Sequence, residues 1–502
     1  MGAQSEKDIL DKDLDKLGLM EIATRFVLQK AAAPGLALVF LMACGFFASF
    51  AITSSTAMAL IVPAAVLAAY MALNIGANDV TNNVGAAVGA NAISLSAALL
   101  LAAFCEIAGA VLAGGEVVAT VKNEIVSPVL VNDAGRTITV MMSALLAAAL
   151  WINIATWINA PVSTTHSIIG AIMGAGVVVA GTATIDWPTI ASITISWFAS
   201  PLMGGGIAAG FLWIITETIQ NREQKVDAAR CWVPVLLATM AGAFLTYILL
   251  VTVRQPDGFG FRHAALAGLF FGGLSYFWFR DTVARQAKGL ENRNSSLKVL
   301  FRVPLIFAAA LLSFAHGAND VSNAIGPLAA IVDASGVQAA STTGATPTWV
   351  MLIGAFGMSV GLMLFGPRLI RIVGSQITKL NPMRAYCVAM SAAITVIIAS
   401  AFGLPVSSTH VVVGAVFGVG FFREWQGARL ARERSAALAI AGLHKAPAPD
   451  DKGSADQVAP HRYRYLVRRN HLINILAAWV VTLPLSALLS AAIAFIAVHV
   501  SA

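Results

Sequence analysis

Runs of about 20 apolar residues recur along the chain, at 36–54, 96–114, 189–216, 233–253 and 472–498 among others, each long enough to cross a bilayer core as a helix. Short polar segments separate them. Lipid offers no partner for an open backbone, so such runs predict helices and not isolated strands. The pattern therefore predicts an all-α integral membrane protein with about 12–13 membrane passes, in which a kinked hairpin can count as two spans. Composition agrees: 58% of residues are hydrophobic and 11% charged, against about a quarter charged in soluble domains.

Two motifs occur twice and in the same order. Residues 76–82 read GANDVTN and 317–323 read GANDVSN, while 161–166 read PVSTTH and 405–410 read PVSSTH. This implies a duplicated unit, with transport repeats at 57–217 and 303–422. Around them the sequence divides into an N-terminal arm (1–35), an extra span (36–54), connecting spans with basic loops (218–302), a basic, partly disordered loop (423–470) and a C-terminal span (471–502).

Charge then gives direction. Segments 218–230, 280–302, 367–384 and 423–470 collect Lys and Arg, whereas 181–188 and 332–347 have neither. By the positive-inside rule the first group is cytoplasmic and the second external, which places the N-terminus inside and the C-terminus outside. The first GANDV segment then runs inward and the second outward. The expected architecture is two inverted-topology repeats with broken helices or re-entrant hairpins, the arrangement of many secondary transporters. The net charge of +7 follows from these loops, and nucleic acid is excluded as a partner. Cys44, Cys105, Cys231 and Cys387 lie singly, without the spacing of a zinc or redox site.

The motifs carry the chemistry. Asn78 and Asn82 share a helix face beside Asp79, as do Asn319 and Asn323 beside Asp320. Carboxylate and amide oxygens form a hard ligand set suited to an alkali cation or a proton. Gly76 and Gly317 are expected to let the helices unwind there and expose carbonyls. A carboxylate at membrane depth costs about 2.5–3.5 kcal/mol, so two of them point to function over a simple interhelical brace. In the second motif, Ser163, Thr164 and Thr165, and likewise Ser407, Ser408 and Thr409, follow a proline at a helix start, where free amides and hydroxyls favour an anion. His166 and His410 close these motifs and are expected to hydrogen-bond neighbouring carbonyls, outside the site proper. With no Lys or Arg in either motif, an anion here needs a co-bound cation, which predicts coupling.

At these residues the chain resembles the inorganic phosphate transporter (PiT) family over about 57–422 and the last span. The resemblance implies a symporter of inorganic phosphate driven by Na⁺ or H⁺, with no resident cofactor, working as a homodimer in the plasma membrane, in a bacterium the inner membrane. It assigns Ser163, Thr164, Thr165, Ser407, Ser408, Thr409, Asn78 and Asn319 to phosphate, and Asp79, Asn82, Asp320, Asn323 and Glu106 to the cation. Thr81 and Asn83 replace small residues usual in the first copy, and Ala389 stands where sodium-coupled members often carry glutamate, which leaves the coupling ion open. Sulfate or another tetrahedral oxyanion fits the same donors. A passive anion channel fits less well, because buried aspartates oppose it. No nucleophile and base lie together near the motifs, so no enzyme is expected.

Overall fold

The structure, a computed structural model, describes residues 31–52, 54–125, 133–158, 160, 162–253, 260–336, 346–373, 381–440 and 469–501. Most of the expected N-terminal arm and the Pro- and Asp-rich stretch 443–460 lie outside these. The described chain is helical: α1 (Ala31–Phe50), α2 (Ser55–Asn83), α3 (Gly85–Gly89), α4 (Leu95–Ala113), α5 (Gly115–Asn123), α6 (Ala134–Trp157), α7 (Thr164–Ala180), α8 (Trp187–Ile215), α9 (Lys225–Thr252) and α10 (Phe261–Ala287) come first. After them come α11 (Asn294–Leu300), α12 (Arg302–Asp320), α13 (Ser322–Ala334), α14 (Thr348–Val373), α15 (Pro382–Ala401), α16 (Ser408–Ile440) and α17 (Arg469–Ser501).

Local sequence sets where these helices start. Side-chain oxygens of Ser94, Asp133, Asp186 and Asn381 accept from the backbone amide three residues on, at 3.4, 3.1, 2.9 and 3.0 Å. Among the described residues ten helices are long and apolar enough to cross a membrane. The count from hydropathy runs higher because α7, with 17 residues, is a half-helix, and α10 and α16 are apolar over only part of their length.

Packing is reciprocal. Helix α2, with the first GANDV motif, lies on α14, which follows the second copy, and α12, with the second motif, lies on α4, which follows the first. Likewise α7 packs on α17, and α16 on α8. The expected unwinding at the motif glycines does not occur: Gly76 and Gly317 sit inside continuous helix. Their function is close approach. A Cβ on Gly76 would collide with the Met358 carbonyl, and one on Gly317 with the backbone of Glu106. The breaks come later, at Val84 between α2 and α3 and at Val321 between α12 and α13.

Candidate anion and cation site

Helices α7 and α16 begin at the two PVS motifs, as the sequence predicts, and their starts meet in the interior. Ser163 caps α7, its hydroxyl oxygen accepting from the His166 amide at 3.1 Å, and Ser407 does the same for the His410 amide at 3.4 Å. The first intrahelical bonds run from Ser167 to the Ser163 carbonyl and from Val411 to the Ser407 carbonyl. The amides of Thr164, Thr165, Ser408 and Thr409 precede those bonds, so each start aims two backbone donors inward. The rings of His166 and His410 lie 4.5 Å apart, packed on Trp197 at 3.9 Å and Trp479 at 3.5 Å respectively. Aromatic rings surround them, and the expected backbone partners stand beside them, that of Trp479 by His166 and that of Trp197 by His410.

Asp79 is fully buried at the meeting point. Its Oδ1 accepts from Asn78 Nδ2, Asn82 Nδ2 and Thr409 Oγ1, each at 3.1 Å, and its Oδ2 accepts from Thr164 Oγ1 at 3.1 Å. Donors from both halves thus converge on one carboxylate. Asp320, also fully buried, accepts from Ser408 Oγ at 2.8 Å. Thr165 donates to the Val406 carbonyl at 3.1 Å and accepts from Asn323 Nδ2 at 3.3 Å. Asn82 also donates to Thr409 Oγ1 at 2.8 Å.

Two residues assigned to phosphate also bond to the segments that lead into the half-helices. Asn78 Nδ2 also donates to the Val162 carbonyl at 3.1 Å, and Asn319 Nδ2 donates to Ser400 Oγ at 3.0 Å and the Leu404 carbonyl at 3.3 Å. In each half the first asparagine of the GANDV motif thus braces the segment leading into the half-helix through one of its amide hydrogens.

The carboxylates are joined by a residue the sequence reading left out. His316 is fully buried, with Nδ1 3.0 Å from Glu106 Oε1. Its Nε2 lies 3.7 Å from Asp79 Oδ2 and 2.9 Å from Asp320 Oδ2, the latter close enough for an ion pair though out of line for a hydrogen bond. Asn83, one of the departures from the family pattern, donates to Glu106 Oε1 at 2.7 Å. Motif repetition could not find His316, because Ile75 occupies its place in the first copy; the cost of a polar group in an apolar run could have.

Three buried carboxylates face one imidazole, so when the acids are ionised the cluster is short of positive charge even with His316 protonated. Oxygen atoms stand ready for it: Asn83 Oδ1, Glu106 Oε2, Asn319 Oδ1, Asp320 Oδ1 and Asn323 Oδ1 are buried without a hydrogen-bond partner. Buried acceptors are rarely left so, and an oxygen-only set matches a hard cation.

Residues 75–490 match the profile of a family described as the phosphate transporter family. The chain belongs to that family. A Helicobacter pylori strain J99 protein, provisionally named a phosphate permease, is 52% identical over 78% of this chain and 74% of its own length. A Haemophilus influenzae protein with the same provisional name is 35% identical over 72% of this chain and 87% of its own. A solved structure described as the sodium-dependent phosphate transporter superposes with a TM-score of 0.76 at 32% identity, covering 88% of this chain and all of the other. This phosphate transporter family member is a multi-pass membrane protein, and its duplicated motifs fall within the matched span.

Proposed function

We propose that the protein is a symporter that carries inorganic phosphate together with a cation, by alternating access, across the plasma membrane. The observation that carries this reading is the sharing of Asp79 between Thr164 of one half-helix start and Thr409 of the other. A hydroxyl has a single proton to donate. Those of Thr164 and Thr409 point at Asp79, and that of Ser408 at Asp320. A cation on these carboxylates takes over their charge balance and releases the hydroxyls, which then turn to an anion held at the inward-facing amides. Without the cation, the anion would meet carboxylates of its own sign. Coupling therefore follows from shared donors, and the cation binds first.

Sodium is the cation we favour, supported by the partnerless oxygens and by the solved relative described as sodium-dependent. Phosphate uptake into proteoliposomes, with Na⁺ and proton gradients imposed separately and sulfate as competitor, tests this. Uptake driven by the Na⁺ gradient alone and resistant to sulfate is expected; uptake at the same rate without any cation gradient would overturn the symport.

The hydroxyls permit a finer test. Thr164→Val and Thr409→Val keep shape and delete the donors that Asp79 would release. One hydrogen bond to a charged ligand is worth about 1.5–3 kcal/mol, so each variant weakens phosphate binding roughly tenfold or more. Ser143→Ala, on α6 and buried outside the site, leaves binding near wild type. A phosphate titration of purified protein measures this, and unchanged affinity in both valine variants would place the anion elsewhere.

A further inference from the structure

Among the described residues the buried, formally charged side chains are Asp79, Glu106, Asp320 and Lys122. The three acids meet at His316. Lys122 stands apart from them, near the end of α5, and forms an ion pair with Asp333 near the end of α13. The pair joins the first repeat unit to the second.

Two helical paths connect this pair to the site. From Glu106 the chain runs along α4 and α5 to Lys122, and from Asp320 along α13 to Asp333, about 20 Å of helical rise further on. Both paths start at His316, since Glu106 and Asp320 each touch it. Between the ends α5 packs on α13, with Val121 against Gly326 and Val321 against Gly114. The seam is thus tied at the site end by His316 and at the far end by Lys122–Asp333, with Gly326 and Gly114 between them letting the helices approach closely.

The far end is partly open to water. The Lys122 side chain is 6% exposed but that of Asp333 is 45% exposed, so water reaches one partner of a pair whose other partner is buried. A wet ion pair is far easier to break than a fully buried one. Motion of α5 also has a direct route inward. Thr120 lies against Gly403, whose φ of +67° forms the turn into the second half-helix, and the next residue, Leu404, offers the carbonyl that Asn319 holds.

From this we infer that Lys122 and Asp333 are a gating pair of the transport cycle: their ion pair closes the α5–α13 seam on the face that the base-free segment 332–347 marks as external, and its parting opens the site to that side. The inference rests on the symport reading above. The two residues are positioning groups and do not touch the carried ions.

Cysteines at both positions, in full-length protein whose four native cysteines are replaced, allow a short bis-methanethiosulfonate reagent to tie the seam. A gate predicts that cross-linking lowers phosphate uptake at least tenfold and that reduction restores it. Unchanged uptake after cross-linking verified by mass spectrometry would show a static brace and overturn the gate. Failure of the unmodified protein to take up phosphate in the same liposomes would instead overturn the transport reading. Should the double-cysteine protein not fold, Ala330→Cys on α13 supplies the second measurement. Its reaction with an impermeant thiol reagent should quicken several-fold in Lys122→Asp and slow again when Asp333→Lys is added. Equal rates in all three backgrounds would also overturn the gate.

Discussion

Asp79→Asn and Asp320→Asn each reduce gradient-driven phosphate uptake to the level of empty liposomes. Asp79 accepts hydrogen bonds from Asn78, Asn82, Thr409 and Thr164 on its two oxygens. An amide keeps one acceptor oxygen and turns an NH₂ group towards whichever donors it abandons. Hydrogen bonds to a charged group are worth about 1.5–3 kcal/mol; an NH₂ in place of Oδ2 loses the Thr164 bond alone, already roughly tenfold or more in occupancy, and one in place of Oδ1 loses the other three. For Asp320 the loss is of charge beside His316 and of the acceptor for Ser408, together with a partnerless oxygen suited to a cation. Uptake in proteoliposomes, with gel filtration to establish intact folding, checks both variants. Wild-type uptake with an unchanged cation dependence in either would remove that aspartate from the cation site.

The second large effect is on stability. Gly317→Ala places a methyl group into the Glu106 backbone, and Gly76→Ala places one into the Met358 carbonyl. Neither neighbour is a flexible side chain. Overpacking of this kind costs about 1–3 kcal/mol when side chains can give way, and backbone against backbone belongs at or above the top of that range. Helices α12 and α4 must separate, and with them His316 and Glu106. Both variants should lose their monodisperse gel-filtration peak at a markedly lower temperature than wild type, whereas Gly206→Ala, at an open position on α8, should not. Equal thermal tolerance of all three would show that these helices do not depend on glycine contact.

Much of this arrangement is legible in the sequence. Hydrophobic run length yields the helices, because a bilayer admits so few alternatives. The repeated motifs identify Asp79, Asp320 and the hydroxyls of the two half-helix starts, and the structure brings all of these together. What is not legible depends on contacts between distant segments. The placement of Asn78 and Asn319 against carbonyls of the PVS linkers is a three-dimensional fact, with partners about 80 residues away in each case. Gly76 and Gly317 show the same limit from the other side. A glycine in a membrane helix serves either to bend it or to admit a neighbour, and only the presence of Met358 and Glu106 decides between these. His316 carries no repeat signal, because Ile75 stands in its place in the first copy.

The convergence of donors on Asp79 also makes the two motif copies depend on each other. Thr164 comes from the first copy and Thr409 from the second, Glu106 of the first copy meets His316 of the second, and Thr165 of the first holds Val406 of the second. One copy alone has the carboxylate but lacks half of what surrounds it. A single unit could complete such a site only by pairing with another that lent it a half-helix, and Ile75 and His316, occupying the same place in the two motif copies, give the two unequal shares at its centre.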